Sequence, residues 1–423
     1  MGGATLFSAG YGLADIEQGI AITPRTAFYA ASVSKQFTAA SIGLLVLRGQ
    51  LSLDANVRDF VPEVPDYGTP ITVRHLLHHT SGLRDYLSLQ PIAGWPEDML
   101  LTEGDFLALV SRQKGLNFAP GTKHLYSNTG YVLLSLIVRK VSGLSLREFA
   151  AKELFTPLGM TNTVFRDNHT TTVPRRATAY EPLASGGFRT RVPGFDVVGD
   201  GGLFSTAEDL AKWDPTALDV ALNAPGLSAL MVTPGRLVSG DTLIYVTGLS
   251  FDTYRGLPIV RHGGTYGGYR AEFTAVPSAD VTIAILCNIR TAEPYVLKNR
   301  IIDMYLGDRL AAPTPAAAAA PPPVPGRPAG SGLLQEVGDL PGTYFSEELD
   351  VRWTVQPGAT SGIALQRRNL PPMALAPRDT AGTRFTVIGV PFDVRFERDA
   401  SGQVTGFILD VRDITGIQFV KLR

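Results

Sequence analysis

The sequence predicts a mixed α/β domain followed by a small antiparallel β-barrel or sandwich. Within residues 1–310, strand patterns occur near both ends and helical patterns lie between them. Residues 311–332 are dominated by proline and alanine, which is typical of an extended linker. Residues 333–423 contain short segments in which apolar and polar residues alternate, as in antiparallel barrels or sandwiches. We therefore expect two domains joined by this linker.

Three helices are predicted before the linker. The segment "SVSKQFTAASIGLLVLRGQ" carries apolar residues at helical spacing and ends at Gly49, a residue type that commonly ends helices. The segment "SNTGYVLLSLIVRKVSG" follows the same pattern. A third helix is expected in "STAEDLAKW", where Ser205 and Glu208 have the spacing of a capping box.

Strands are expected on either side of these helices, in "TLFSAGYG", "LIYVTGLSF", "RAEFTAVP" and "VTIAILCN". The last of them contains Cys287, the single cysteine of the chain, which we interpret as an unreactive core residue. One cysteine cannot form an internal disulfide. After the linker, strands are expected in "DVRWTVQ", "RFTVIGV", "FDVRFERD", "QVTGFILDV" and "GIQFVKL".

Composition makes several classes of partner unexpected. The 423 residues carry a formal net charge of −1 and contain no basic block, so neither nucleic acid nor an anionic membrane surface is expected to bind. No run approaches the ~20 apolar residues of a membrane-spanning helix, and no signal peptide is visible. The expected partner is a small molecule or a short peptide. Oligomeric state and localisation stay open.

Ser32 and Lys35, in "YAASVSKQFTAA", are the first residues that indicate chemistry. Their spacing places both side chains on one face of a helix, within reach of each other. Backbone N–H groups at a helix start favour developing negative charge, and apolar neighbours disfavour the charged form of a lysine. The pair could therefore be a nucleophile and its base. It could equally be a helix cap and a solvated lysine, because the same spacing recurs at Ser111 and Lys114.

Two later segments contain further candidate groups. In "HLYSNTGY", Tyr126 and Asn128 are separated by Ser127, so an extended backbone would place the phenol and the amide on the same side. In "VRHGGTYGGYRAEF", His262 is followed by two glycines, which allow another group to approach the backbone closely. Each segment also has an ordinary interpretation, as a packed tyrosine, a turn or a bulge.

Taken in this order, the three segments resemble those of the penicillin-recognising serine hydrolases, the β-lactamase/transpeptidase-like family. This family includes class C β-lactamases, D,D-peptidases, D-aminopeptidases and carboxylesterases. Its pattern of S-x-x-K, Y-x-N and K- or H-x-G is matched by "SVSK", "YSN" and "HGG". Flanking segments such as "ITVRHLLHHTSGL" and "GGLFSTAEDLAKW" are also similar, so that the resemblance spans roughly residues 5–305. It implies a β-lactamase/transpeptidase-like fold, with an antiparallel sheet flanked by helices. Residues 333–423 resemble the lipocalin-like antiparallel β-barrel appended to some of these hydrolases.

The resemblance implies roles for the catalytic candidates. Ser32 would be the nucleophile that forms an acyl-enzyme with an ester or amide. Lys35 would take or relay its proton, and Tyr126 would be the partner base or would protonate the leaving group. Which of Lys35 and Tyr126 is the base stays open.

The resemblance also implies substrate-binding roles. Asn128 would hold Lys35 and donate to a carbonyl of the substrate. His262 occupies the position where β-lactamases generally carry lysine, and would orient a carboxylate or the tyrosine phenol. The oxyanion hole would comprise the backbone N–H groups of Ser32 and of Thr265, which follows Gly264. No metal and no cofactor are implied.

Departures from the family pattern guide the expected substrate. Histidine at position 262 favours a D-aminopeptidase, D,D-peptidase or esterase acting on D-amino-acid peptides, amides or short esters. A β-lactamase, and a penicillin-binding or peptide-sensing module without turnover, are the alternatives. A helix and a first strand that precede "TLFSAGYG" in related domains are expected to be missing. His75, His78 and His79 suggest a metal only superficially, because no acidic residue completes a zinc-binding helix.

Overall fold

The computed structural model describes residues 4–96, 98–192, 194–312, 338–358, 362–367, 370–379 and 382–422. The chain divides into two units. Unit 1 comprises Met1–Gly82, Asp98–Phe106 and Phe118–Thr314, and unit 2 comprises Leu83–Glu97, Leu107–Asn117 and Pro315–Arg423. The predicted linker, residues 311–332, lies outside the described residues except for Ala311 and Ala312.

Ten α-helices lie in the described part of the chain. They are α1 (Lys35–Leu47), α2 (Val73–Leu77), α3 (Tyr86–Ile92), α4 (Glu103–Ser111), α5 (Asn128–Ser142), α6 (Leu146–Ala150), α7 (Ala207–Leu210), α8 (Leu218–Ala221), α9 (Leu227–Val232) and α10 (Pro294–Leu306). Short 3₁₀ turns cover Ala31–Ser34, Val57–Asp59, Pro277–Ala279 and Gly307–Arg309, and a π-helical turn covers Ala151–Phe155. No single helix among the described residues has both the length and the apolar character to cross a membrane, whereas one bent pair, Asn128–Ser142 with Leu146–Phe155, meets those criteria by length and composition only.

The strands of unit 1 form four small antiparallel sheets. They are β1 (Leu13–Asp15), β2 (Ile20–Ala21), β3 (Phe28–Tyr29), β4 (Val164–Phe165), β5 (Tyr180–Pro182), β6 (Phe188–Thr190), β7 (Leu203–Ser205), β8 (Ser250–Tyr254), β9 (Leu257–Tyr266), β10 (Tyr269–Val276) and β11 (Val281–Cys287). The largest sheet has the order β11-β10-β9-β8, and a second has the order β3-β7-β4. The helix α10 covers one face of the larger sheet, where Ile302 packs against Ile259 and Val276.

The helix α1 is the central helix of unit 1. Its first eleven residues, from Lys35 to Leu45, are all buried, and it packs against α5 and α9. A helix that is covered on all sides needs apolar residues all round, which explains why its sequence shows no polar stripe. Both α1 and α5 are followed by a glycine in the left-handed conformation, Gly49 (φ 69°) and Gly143 (φ 75°). These two predicted helices are therefore confirmed with their ends.

Three predictions about local structure are wrong. The segment "TLFSAGYG" contains no strand, and β1 begins only at Leu13, after Gly12 adopts a left-handed turn. In "LIYVTGLSF" the strand begins only at Ser250, because the backbone turns at Gly248 (φ 73°). The N-cap of α7 is Thr206, whose side chain accepts the Asp209 N–H, whereas Ser205 ends β7.

Unit 2 contains a closed antiparallel barrel, as predicted. Its strands pair in chain order, and the first closes on the last. They are β12 (Gly342–Ser346), β13 (Val351–Gly358), β14 (Gly362–Arg367), β15 (Met373–Pro377), β16 (Arg384–Val387), β17 (Phe392–Arg398), β18 (Val404–Val411) and β19 (Ile414–Lys421). Aromatic residues fill the interior, where Phe407 stacks on Phe419 with ring centroids 4.6 Å apart and Trp353 is fully buried.

A buried polar network also belongs to unit 2. The Arg84 guanidinium donates to the Glu348 carboxylate, to Gln113 Oε1 and to the Thr415 carbonyl. The same carboxylate accepts the backbone N–H of Lys114 at 2.8 Å. The side chains of Arg84 and Glu348 are 3% and 2% exposed, so this ion pair is almost entirely removed from water.

Candidate active site

Ser32 lies in the 3₁₀ turn that leads directly into α1. Its side chain is half-buried, whereas both neighbours in the sequence are buried. The preceding residue, Ala31, has φ 47°, a left-handed conformation that is unusual for a residue other than glycine. Such strained backbone is often found at functional sites. The serine is therefore the one partly accessible residue at the start of a buried helix.

Lys35 connects Ser32 to two other parts of unit 1. Its side chain is fully buried, and its Nζ lies 3.1 Å from Ser32 Oγ, 2.7 Å from Asn128 Oδ1 and 2.8 Å from the carbonyl oxygen of Asp200. The last two atoms only accept hydrogen bonds, so each receives an N–H of the amine. When the amine is deprotonated, its lone pair is directed towards the serine hydroxyl. The geometry thus fits Lys35 as an acceptor of the Ser32 proton.

The Asp200 carbonyl is a site group that the sequence analysis missed. It belongs to a glycine-rich turn before β7, in which Gly199 has φ 117° and a Cβ on that residue would lie 2.3 Å from the Tyr131 carbonyl. Thr38 Oγ1 on α1 donates to the Gly199 carbonyl at 2.7 Å and fixes this turn. In the sequence only the glycine-rich run "GDGG" indicates this turn, because no residue type marks a backbone carbonyl that takes part in a site.

Tyr126 and Asn128 approach the lysine as the spacing predicts. Ser127 between them has extended dihedral angles (φ −140°, ψ 120°), and α5 begins at Asn128. The tyrosine ring lies 4.9 Å from Lys35 Nζ, and the asparagine accepts a hydrogen bond from it. Both side chains therefore face the lysine, whereas the side chain of Ser127 is buried elsewhere.

His79 supports this segment and was not predicted as a site residue. Its Nδ1 accepts the Ser127 N–H at 3.1 Å, and its carbonyl accepts the Leu125 N–H at 2.9 Å. Its ring centroid is 4.2 Å from that of Tyr126. Burial, and secondly the nearby charge of Lys35, hold the pKa of His79 well below its usual range, so the ring is neutral.

His262 lies on β9 and has both ring nitrogens engaged by protein groups. Its Nδ1 is 2.7 Å from the Gly263 carbonyl and so carries a proton, whereas its Nε2 is 3.2 Å from the hydroxyl of Tyr245. The ring centroid is 6.1 Å from that of Tyr126. Burial, with Lys35 as the second cause, lowers the pKa of His262 to about 3, so this histidine is uncharged at neutral pH. Tyr245 is a further partner that the sequence analysis missed.

Gly264 and Thr265 lie on β9 beside the serine turn. A Cβ at Gly264 would be 2.2 Å from the carbonyl oxygen of Ala30, two residues before Ser32. Only glycine therefore allows β9 to pass this close to the turn. Thr265 is exposed. The proposed oxyanion donors, the N–H groups of Ser32 and Thr265, thus belong to two backbone segments in close contact.

Comparison with known proteins decides the family. The sequence model of the β-lactamase family matches residues 1–305. This chain belongs to that family. The β-lactamase-like fold and the barrel that follows it are thereby both established, the second from the structure itself.

Relatives within the family include peptidases and penicillin-binding proteins. The chain is 28% identical over 370 residues to a D-aminopeptidase of Gluconobacter oxydans, which covers 87% of this chain and 66% of that protein. It is 31% identical over 288 residues to penicillin-binding protein 4* of Bacillus subtilis, covering 63% of this chain and 62% of that protein. The chain thus spans somewhat less than two thirds of the length of these relatives.

Solved structures in the family share the fold. A penicillin-binding protein from Bacillus halodurans is 28% identical with a TM-score of 0.61, and the match covers 70% of this chain and 91% of that one. An octameric penicillin-binding protein homologue from Pyrococcus abyssi has a TM-score of 0.63 at 23% identity, and covers 99% of this chain and 94% of that one. The second likeness extends across both units and concerns the fold alone.

Proposed function

We propose that this protein is a serine hydrolase that acts through an acyl-enzyme on Ser32. The contact that carries the proposal is Lys35 Nζ at 3.1 Å from Ser32 Oγ, with Asn128 and the Asp200 carbonyl as its other partners. An amine held this way is directed at the hydroxyl it would deprotonate. Its full burial excludes bulk water as a competing acceptor.

The proposed reaction follows from this arrangement. The Ser32 hydroxyl attacks the carbonyl carbon of an ester or amide and passes its proton to Lys35, directly or with Tyr126 as relay. The N–H groups of Ser32 and Thr265 stabilise the oxyanion, and each such donor typically contributes about 3 kcal/mol to transition-state stabilisation. The tetrahedral intermediate expels an alcohol or amine, which takes up the proton. Water then attacks the acyl-enzyme and gives a proton to Lys35, the bond between the acyl group and Ser32 Oγ breaks, and Oγ takes up that proton as the acid is released.

Because His262 is buried and uncharged, it favours substrates whose leaving group has no carboxylate. A buried, neutral imidazole that already donates to Gly263 and interacts with Tyr245 offers no positive charge for a substrate carboxylate. Amides and peptides that begin with a D-amino acid, and short esters, need no such charge. Several relatives are named D-aminopeptidases, which agrees with this choice. β-Lactams, and peptides from which the released group is a single amino acid with a free carboxylate, are accordingly expected to be poor substrates.

The test compares the wild-type protein with Ser32→Ala. Both are incubated with a nitrophenyl ester, with D-alanyl and L-alanyl nitroanilides, and with a chromogenic cephalosporin, while hydrolysis and intact mass are followed. We expect turnover of the ester and the D-anilide, and its loss in Ser32→Ala. An alanine variant as active as the wild type would refute the mechanism.

The other outcomes identify the alternatives. Rapid cephalosporin turnover would identify a β-lactamase. A stable adduct on Ser32 without turnover would identify a penicillin-binding or peptide-sensing module.

A further inference from the structure

His79 combines an unusual backbone with a buried polar ring. It follows α2, has φ 55° and is 1% exposed. Glycine or asparagine is the usual residue in a left-handed turn after a helix, because other side chains are strained there. Positive φ is uncommon for residues other than glycine and is concentrated at functional sites, so the conformation of His79 is consistent with a functional role for its side chain.

The hydrogen bonds of His79 flank Tyr126 on both sides. Its carbonyl accepts the Leu125 N–H at 2.9 Å, and its Nδ1 accepts the Ser127 N–H at 3.1 Å. Because Nδ1 is an acceptor, the ring proton is on Nε2 and the ring is neutral. The main chain of His79 thus holds the residue before the tyrosine, and its side chain holds the residue after it.

The other ring nitrogen shows that packing alone does not explain this residue. Among the residues that the structure describes, Nε2 of His79 is buried and has no hydrogen-bond partner. A buried polar group without a partner is unfavourable, so an apolar ring would fill the same space at lower cost. The ring contacts Tyr126 and Tyr245 at centroid distances of 4.2 and 4.5 Å, which phenylalanine could also do. What phenylalanine cannot supply is the acceptor at Nδ1.

We propose that His79 is a positioning residue, whose Nδ1 fixes the Ser127 N–H and thereby holds Tyr126 and Asn128 against Lys35. The proposal rests on the proposed function, since these are the groups that would handle the Ser32 proton. Asn128 Oδ1 lies 2.7 Å from Lys35 Nζ at the first residue of α5, immediately after Ser127. A shift of Ser127 therefore moves both groups relative to the amine.

Two substitutions separate the acceptor from the ring. His79→Phe keeps an aromatic ring against Tyr126 but removes Nδ1. His79→Asn loses the ring but places an amide oxygen near the position of Nδ1, and asparagine tolerates positive φ. For the nitrophenyl ester we expect kcat of His79→Phe to fall about 100-fold, as for a displacement near 1 Å, with KM changed less than about threefold. His79→Asn should keep kcat within about tenfold of the wild type.

The proposal is tested by which of the two variants has the lower kcat. A ring that only packs would give the opposite order, with asparagine the more damaging change, and that result would overturn the proposal. So would a His79→Phe variant with unchanged kcat. If His79→Phe does not fold, as judged by its thermal unfolding, His79→Gly replaces it, since glycine relieves the strained backbone and also lacks the acceptor.

A second readout does not depend on activity. Amide hydrogen exchange of the segment that contains Ser127 should rise in His79→Phe and stay near the wild-type rate in His79→Asn. Unchanged exchange in His79→Phe would overturn the proposal even if activity fell. A wild-type protein without turnover, but with this exchange pattern, would refute the proposed function and leave the positioning of Ser127 standing.

Discussion

At the scale of single residues, the contact between Gly264 and the Ala30 carbonyl controls the shape of the serine turn. The atom that a Cβ would meet at 2.2 Å belongs to the backbone, so it cannot rotate away as a side chain could. Either β9 or the turn before Ser32 must move. Because both segments carry a proposed oxyanion donor, a small displacement here separates the two N–H groups.

We therefore expect Gly264→Ala to lower kcat/KM for the ester by about 100-fold. Its free energy of unfolding should fall by about 1–3 kcal/mol, as for overpacking in a core. Ester kinetics and urea unfolding measure the two effects. Gly104→Ala is the matched control, because it lies in α4 and its new Cβ would meet nothing closer than 3.7 Å. If Gly264→Ala and Gly104→Ala had the same kcat/KM and the same free energy of unfolding, the contact between Gly264 and the Ala30 carbonyl would not control the serine turn.

The sequence anticipates the side chains of the site better than its backbone groups. Local spacing places Ser32 beside Lys35, and Tyr126 on the same side as Asn128. That the two segments meet at Lys35 follows from the family resemblance and not from spacing. The Asp200 carbonyl contributes only a main-chain atom. His79 and Tyr245 act through contacts between segments far apart in the chain, which no local spacing encodes.

At the scale of elements, the Arg84–Glu348 pair joins the segment Leu83–Glu97 to the barrel within unit 2. Glu348 also accepts the Lys114 N–H and lies beside Gln113, whose amide donates to the Glu348 carbonyl at 3.2 Å. Removing one partner of such a pair leaves an uncompensated buried charge.

Glu348→Ala is expected to lower the free energy of unfolding by about 3–5 kcal/mol. Glu347→Ala is its control, because the neighbouring Glu347 pairs with Lys114 at the exposed surface and its loss should have little measurable effect. Chemical unfolding followed by the fluorescence of the three tryptophans, of which Trp353 lies in the barrel, makes the comparison. Similar destabilisation by both changes would show that the buried network is not the cause.

Periodicity predicts the long elements and fails on short ones. The helices α1 and α5 and the strands β10 and β11 repeat their pattern over seven residues or more. In the segment before β8, apolar residues continue through Gly248, where the chain must turn. A Cβ at Gly248 would lie 2.6 Å from the backbone of Lys35 and Gln36, so the start of α1 forces this turn. Only the tertiary structure contains that constraint.

At the scale of the whole molecule, buried neutral histidines link stability to pH. Burial lowers the pKa of His78 to about 4 and of His262 to about 3, and holds that of His79 well below its usual range. In the unfolded chain these residues regain a pKa near 6.5. Below that pH these histidines bind protons in the unfolded chain but stay unprotonated in the folded protein. Stability is therefore retained above about pH 6.5 and lost as the pH falls towards the folded values.

Between pH 7 and pH 5, each of these three histidines should lower the free energy of unfolding by about 2 kcal/mol. Urea unfolding at half-unit steps of pH measures the loss. A free energy that is the same at pH 7 and pH 5 would show that the three rings accept protons in the folded state.

Unit 2 is assembled from three separate segments of the chain, and this affects how its gene can be rearranged. Two of its three segments, Leu83–Glu97 and Leu107–Asn117, are encoded between the codons of Lys35 and Tyr126. Recombination after residue 312 would therefore separate the barrel from the two earlier segments of unit 2 that contact it. After such a recombination, Arg84 and Gln113 would face the residues that replaced Glu348 and Thr415. Substitutions at Arg84 and Gln113 are therefore expected to occur together with substitutions at Glu348 and Thr415 in related sequences.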